Sequence, residues 1–206
     1  MSYHGYIPIV KQLITHIDAP NILEVGIDTG ATLFPLVFDL VRSGKKFGFT
    51  GIDVKIQDHI SVVLGNINYE KDQNVRIINN NSLNVLPASV AAGEKYDIVL
   101  LDGDHNYYTV KRELELIDKL THEYSFVVVD DYSGRWAERD LWYAERDTHA
   151  AVADVTARVE TTKHGVKTAV DEFLDEHRDW SSCTLITGEP IVLTKQLRVT
   201  VEGKKE

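Results

Sequence analysis

Ile22-Leu23-Glu24-Val25-Gly26-Ile27-Asp28-Thr29-Gly30 runs from an apolar stretch directly into a turn bearing two glycines. A strand that ends this way lets the backbone approach a ligand at the carboxyl edge of a sheet. Further short apolar runs follow at residues 47–54, 75–78, 96–102 and 126–130. Within the fourth, Ile98-Val99-Leu100-Leu101 has no polar alternation, as expected of a strand covered on both faces. Between the runs lie helical periods. Ile9, Val10, Leu13, Ile14 and Ile17 share one face before the first strand, and Val110, Leu114, Ile117 and Leu120 share one after the fourth.

This alternation predicts an α/β fold with a single Rossmann-like, doubly wound sheet that is mostly parallel. The end of the chain reads differently. A helix over 166–176 precedes a strand at 184–187, the turn Gly188-Glu189-Pro190 and a strand at 191–194, so an antiparallel C-terminal hairpin strand closes the sheet. The 206 residues fit one domain. Residues 132–164 fit the rhythm poorly, being highly charged with Trp136, Trp142 and Tyr143. That stretch is read either as a surface helix over 147–159 or as a lid or substrate-binding arm whose aromatics wall the acceptor.

Composition narrows the function. Thirty-two acidic against 22 basic residues give a net charge of −10, which disfavours nucleic acid as the main partner. The lone Cys183 excludes an internal disulfide and a cysteine-rich zinc site. No apolar run approaches the roughly 20 residues of a membrane span, and no secretory leader is evident, so a cytoplasmic protein without membrane attachment is expected.

The first loop selects among ligands. A dinucleotide fingerprint needs glycine at positions 26, 28 and 31, but the chain has Gly26, Asp28 and Ala31. A carboxylate at 28 opposes a pyrophosphate, and no Gly-Lys-Ser/Thr is present for a nucleoside triphosphate. Glu24 and Asp28 suit instead a ligand with a cationic centre and an amine. Asp53 closes the second strand, where a carboxylate accepts hydrogen bonds from both ribose hydroxyls. Asn81 and Ser82 follow the third strand, either contacting a base or forming a helix cap.

Asp102-Gly103-Asp104-His105-Asn106-Tyr107 follows the fourth strand and Asp130-Asp131-Tyr132 the fifth. Adjacent parallel strands bring Asp102, Asp130 and Asp131 to one edge, where they repel one another unless a cation intervenes. Oxygen-only ligands suit Mg²⁺, with zinc the second choice.

The acidic-x-Gly-x-x-x-Gly loop with Asp53 resembles the class I S-adenosylmethionine-dependent methyltransferases. Asp-Gly-Asp-His-x-Tyr, Val-Asp-Asp-Tyr and the segment Gly165-Val166-Lys167 through Leu174 sharpen this to the macrocin O-methyltransferase group. The resemblance implies S-adenosylmethionine bound by Glu24, Gly26, Asp28, Gly30, Thr32, Asp53, Asn81, Ser82 and Asp102. It also implies Mg²⁺ held by Asp102, Asp130 and Asp131, with His105 or Asp104 as base beside the hydroxyl of a small sugar-like substrate. The 132–164 insertion departs from that group, and a homo-oligomer is left open. Three alternatives remain: a non-catalytic methyltransferase-like binding module, a metal-dependent hydrolase or hydroxylase using the same carboxylates, and a catechol-type O-methyltransferase.

Overall fold

The computed structural model describes residues 7–183 and 189–196. Thirteen regular elements follow the expected rhythm: α1 (Ile7–Thr15), β1 (Asn21–Val25), α2 (Leu33–Arg42), β2 (Phe47–Asp53), α3 (Asp58–Gly65), β3 (Gln73–Asn79), α4 (Ser82–Ala91), β4 (Tyr96–Leu101), α5 (Tyr107–Leu120), β5 (Thr121–Val129), α6 (Val166–Glu176), β6 (Trp180–Cys183) and β7 (Ile191–Lys195). They build one seven-stranded sheet in the order β3-β2-β1-β4-β5-β7-β6. Strands β1 to β5 pair in parallel, while β7 runs antiparallel to both β5 and β6. The C-terminal hairpin is therefore present, with Trp180–Cys183 as its first strand. The expected strand at 184–187 lies outside the described residues.

Unbroken apolar strands arise because both faces are covered. Leu23, Val25, Val99, Leu101, Val127 and Val129 face one way and pack with Leu86 of α4, Val110 and Leu114 of α5, and Phe173 of α6. Ile22, Ile98, Leu100, Val128 and Val192 face the other way, against Val10 of α1, Leu36 and Val37 of α2, and Ile60 of α3. Lys45 closes the end of α1 by donating from Nζ to the carbonyls of Ile14, Thr15 and Ile17 at 2.9–3.0 Å, supplying bonds that a helix terminus lacks. Among the described residues no helix is long and apolar enough to cross a membrane.

The insertion contains no α-helix. Its regular structure is limited to two short 3₁₀ turns, Tyr143–Glu145 and Asp147–His149, so the surface-helix reading of 147–159 is corrected. Its backbone is held by tertiary bonds in place of a helical ladder. Lys55 Nζ donates to Thr148 O at 3.0 Å, and Asn81 Nδ2 to Asp154 O at 2.7 Å. Asp140 pins its base, accepting from Tyr107 N at 2.9 Å and Gly165 N at 2.8 Å and pairing with His164.

One backbone approach sets the geometry of the ligand edge. Gly26 has φ +89°, and a Cβ there would lie 2.1 Å from Asp102 O. Glycine is thus required where β1 leaves the sheet alongside β4. Gly26→Ala should cost about 2 kcal/mol or more, lowering the melting temperature of the unliganded protein by about 5 °C or more in a thermal melt.

Candidate active site

A cavity of about 540 Å³ opens at the carboxyl ends of β1 to β4, within the usual range for small-molecule sites. Gly26 and Asp28 come from the first loop, Asp53 and Val54 from the end of β2, Asn81 and Ser82 from the start of α4, and Asp102 to Asp104 from the end of β4. Tyr143, Thr148, His149, Val155 and Thr156 of the insertion line the same cavity, so the insertion lies over it.

Asp53 organises the first loop. Its Oδ2 accepts from the backbone N–H of Ile27 at 2.8 Å and of Asp28 at 3.0 Å, and its Oδ1 accepts from Lys55 N at 2.8 Å. Asp28 is held in a left-handed conformation at φ +44°, and its carboxylate accepts from Gln57 Nε2 at 3.0 Å.

Several expected contacts are placed differently. Glu24, Gly30 and Thr32 do not line the cavity. The period of two puts Glu24 on the same face as Ile22, in the interior, where its Oε2 has no hydrogen-bond partner. Burial, with Asp53 nearby, pushes its carboxyl well above the ordinary range, which disfavours the anionic form. Gly30 packs against the Phe34 ring, and Thr32 is buried at the head of α2. Asn81 lines the cavity, but its amide is committed: Oδ1 caps α4 through Leu83 N at 2.8 Å, and Nδ2 holds Asp154 and Thr156. Ser82 donates its hydroxyl to Glu113 Oε1 at 2.6 Å.

The acidic cluster sits beside this cavity, and Asp102 belongs to both. Neighbouring exits of β4 and β5 bring Asp102 and Asp131 to opposite sides of the His105 ring. Asp131 Oδ2 lies 3.4 Å from Nδ1 and Asp102 Oδ1 3.8 Å from Nε2. The ring is buried, and desolvation lowers its proton affinity against the opposing pull of Asp130. His105 is therefore neutral near pH 7 and able to accept a proton. Asp131, at φ +56°, is pushed up to about 6 by burial and by the charges of Asp130 and Glu189, with Arg135 opposing.

Among the described residues, no group of three His, Cys, Asp or Glu side chains already converges as a metal cage. What fits a hard cation is the chemistry of the donors. Asp102 and Asp131 flank the His105 ring, and the charge of Asp130 raises the proton affinity of Asp131, a negative field that a divalent ion would relieve.

Asp104 belongs elsewhere. Its carboxylate accepts from Thr109 Oγ1 at 3.1 Å and lines the cofactor-sized cavity near Glu113. Burial raises it to about 6, with the bonds from Thr109, Thr156 and Asn106 opposing. Of the two candidate bases, His105 alone is flanked by the acidic cluster. The aromatics also divide. Trp142 is buried against Tyr108 and Trp136 packs on the main core, so both are structural, whereas Tyr143 faces the cavity. Its phenol is pushed up to about 12 by burial and by Asp102, Asp104, Asp28 and Asp131, and stays a hydrogen-bond donor.

Glu113 and Asp140 escaped the sequence reading. A signal existed for Glu113, a carboxylate set between Val110 and Leu114 on the apolar stripe of α5. Asp140 offered none, because its role depends on where α5 and α6 begin.

Residues 23–132, just over half of the chain, match the model of a family described as a methyltransferase domain. No curated protein matches. Among solved structures, the chain is similar to an O-methyltransferase from Bacillus cereus in complex with S-adenosylhomocysteine (TM-score 0.58, 17% identity, covering 95% of this chain and 83% of that one). It is also similar to CalS11, a TDP-rhamnose 3′-O-methyltransferase of calicheamicin biosynthesis (0.57, 14%, 91% and 76%). A third is the MycE methyltransferase of the mycinamycin pathway, solved with Mg, S-adenosylhomocysteine and mycinamycin VI (0.57, 12%, 95% and 50%). The chain thus spans half the length of the mycinamycin enzyme. With the sheet order, the first loop and the family match in agreement, the chain belongs to the methyltransferase-domain family, and its fold is that of the class I S-adenosylmethionine-dependent methyltransferases.

Proposed function

We propose that the protein transfers the methyl group of S-adenosylmethionine to a hydroxyl of a sugar or sugar-bearing metabolite, with Mg²⁺ at the acidic cluster. The observation that carries this reading is the double placement of Asp102, which lines the cavity and also flanks His105 opposite Asp131. A methyl donor in the cavity and a hydroxyl at the cluster would then meet at Asp102. The mycinamycin and rhamnose enzymes, which share the fold, support the choice of acceptor class.

Asp102, Asp130 and Asp131 would hold the metal, whose charge acidifies a hydroxyl placed beside it. His105, neutral and buried, takes the hydroxyl proton, and the flanking carboxylates orient the ring and stabilise its charged form. Gly26 and Asp53 position the donor so that transfer proceeds in line, and Tyr143 excludes water from the reacting centre. The insertion acts as a lid on the donor, latched by Lys55 at Thr148 and by Asn81 at Asp154 and Thr156.

Incubating the protein with S-adenosylmethionine and a panel of sugar nucleotides and glycosides, with Mg²⁺ or with a chelator, tests the reading. Release of S-adenosylhomocysteine that stops with chelator supports it. Full turnover in chelator removes the metal, and tight cofactor binding with no turnover on any acceptor favours a binding module. Asp130→Ala and Asp131→Ala should each lower turnover by about a hundredfold or more while changing S-adenosylhomocysteine affinity by less than about threefold. His105→Ala should cost about 10² to 10⁴ in kcat with cofactor affinity intact. Lys55→Met removes one latch and should speed S-adenosylhomocysteine release about threefold to tenfold in stopped flow, and an unchanged rate would show that the insertion does not gate the cavity.

A further inference from the structure

Glu113 is a buried carboxyl that the proposed chemistry does not use. It lies on the core-facing side of α5, is 1% exposed, and lines the cavity. Its single hydrogen bond among the described residues is the 2.6 Å contact from Ser82 Oγ to Oε1. A buried carboxyl with so few partners is costly unless a ligand completes it. Burial, with Asp104 adding to it and Ser82 opposing, pushes Glu113 up to about 8, so the group is neutral near pH 7. With Ser82 donating to Oε1, the proton belongs on Oε2. The group then offers a donor beside an acceptor, and Oε1 keeps a second lone pair.

The surroundings suit a flat heterocycle. Ile52, Val54 and Val155 supply apolar lining, and Asp53, the expected partner of the ribose hydroxyls, lines the same cavity. Asn81 and Ser82, the residues expected to meet the base, have their polar groups committed elsewhere.

We infer that Glu113 is the specificity-determining residue for the cofactor's base, pairing with the N6 amine and N7 of adenine. Adenine presents an amine donor next to a nitrogen acceptor, the complement of a carboxylic acid, whereas a 6-oxopurine presents two acceptors along its N7 edge. This inference rests on the proposed use of S-adenosylmethionine. It adds that the base is read from α5 rather than from the loop after β3.

Calorimetric titration of the full chain with S-adenosylhomocysteine and S-inosylhomocysteine tests it. The unmodified protein should prefer the adenosyl ligand by about tenfold or more. Glu113→Leu should weaken adenosyl binding by about tenfold and bring the two affinities within about twofold, without lowering the melting temperature of the unliganded protein. Glu113→Gln keeps a donor and an acceptor side by side and should restore most of the discrimination, a rescue that a purely structural role does not predict. Should Glu113→Leu fail to fold, the unbranched Glu113→Met carries the same comparison. Discrimination that survives in Glu113→Leu or Glu113→Met overturns the inference and leaves the cofactor assignment standing. Equal loss in the Gln variant also overturns it. Failure of the unmodified protein to bind either ligand overturns the cofactor assignment and this inference together.

Discussion

Backbone hydrogen bonding that continues past the strand ends is the constraint on which the site depends. Gly26 N donates to Ile52 O at 2.9 Å, Asp102 N to Val25 O at 2.9 Å, Asp130 N to Leu101 O at 3.0 Å and Asn80 N to Asp53 O at 2.9 Å. Each bond ties the exit of one parallel strand to its neighbour. Parallel pairing makes all these exits fall on one edge, because every strand points the same way. Asp53, Asp102, Asp130 and the glycine loop, scattered over more than 100 residues of sequence, therefore share one rim. Gly26 lies so close to Asp102 O on that rim that there is no room for a Cβ.

The electrostatics of the rim follow from how deeply each acid is set. The chain carries a net charge of −10, yet several acids near this rim have a raised proton affinity. Burial raises the carboxyls of Glu24 and Glu113, with Asp53 adding to the first and the Ser82 hydrogen bond opposing in the second. His105 is buried and has lost proton affinity for the same reason. Asp131, only partly buried, rises mainly through burial and then through the like charge of Asp130 and Glu189. One edge of the sheet thus holds a buried imidazole beside an acidic cluster, with a protonated carboxyl on the cavity wall.

The insertion between β5 and α6 joins these parts. Asp140 ties it to the starts of both α5 and α6, and Leu141 N donates to His105 O at 3.0 Å. From that anchored base it reaches over the cavity and delivers Tyr143, whose phenol stands in the field of four aspartates. A lone helix would have satisfied its own backbone. Here Lys55 and Asn81 satisfy part of it instead, which couples the insertion to the cavity floor.

The alternation of strands and helices, the mostly parallel sheet and its antiparallel C-terminal end were legible in the sequence. Hydrophobic periodicity and parallel topology are local or nearly local rules, and they act before any side chain finds its neighbour. The helix over 166–176 matches α6, Val166–Glu176, because its apolar period was complete. Tertiary structure alone decided the rest. Glu24 is buried because helices cover both faces of the sheet, whichever way a β1 side chain points. Asn81 and Ser82 were drawn away by Thr156 and Glu113, partners 75 and 31 residues distant. Asp104 and His105 are adjacent in sequence yet serve different neighbourhoods, one at the cavity wall by Thr109 and the other between two aspartates. Which residue types were available was written in the chain, but which of them kept a free polar atom for a ligand depended on long-range contacts that no local pattern encodes.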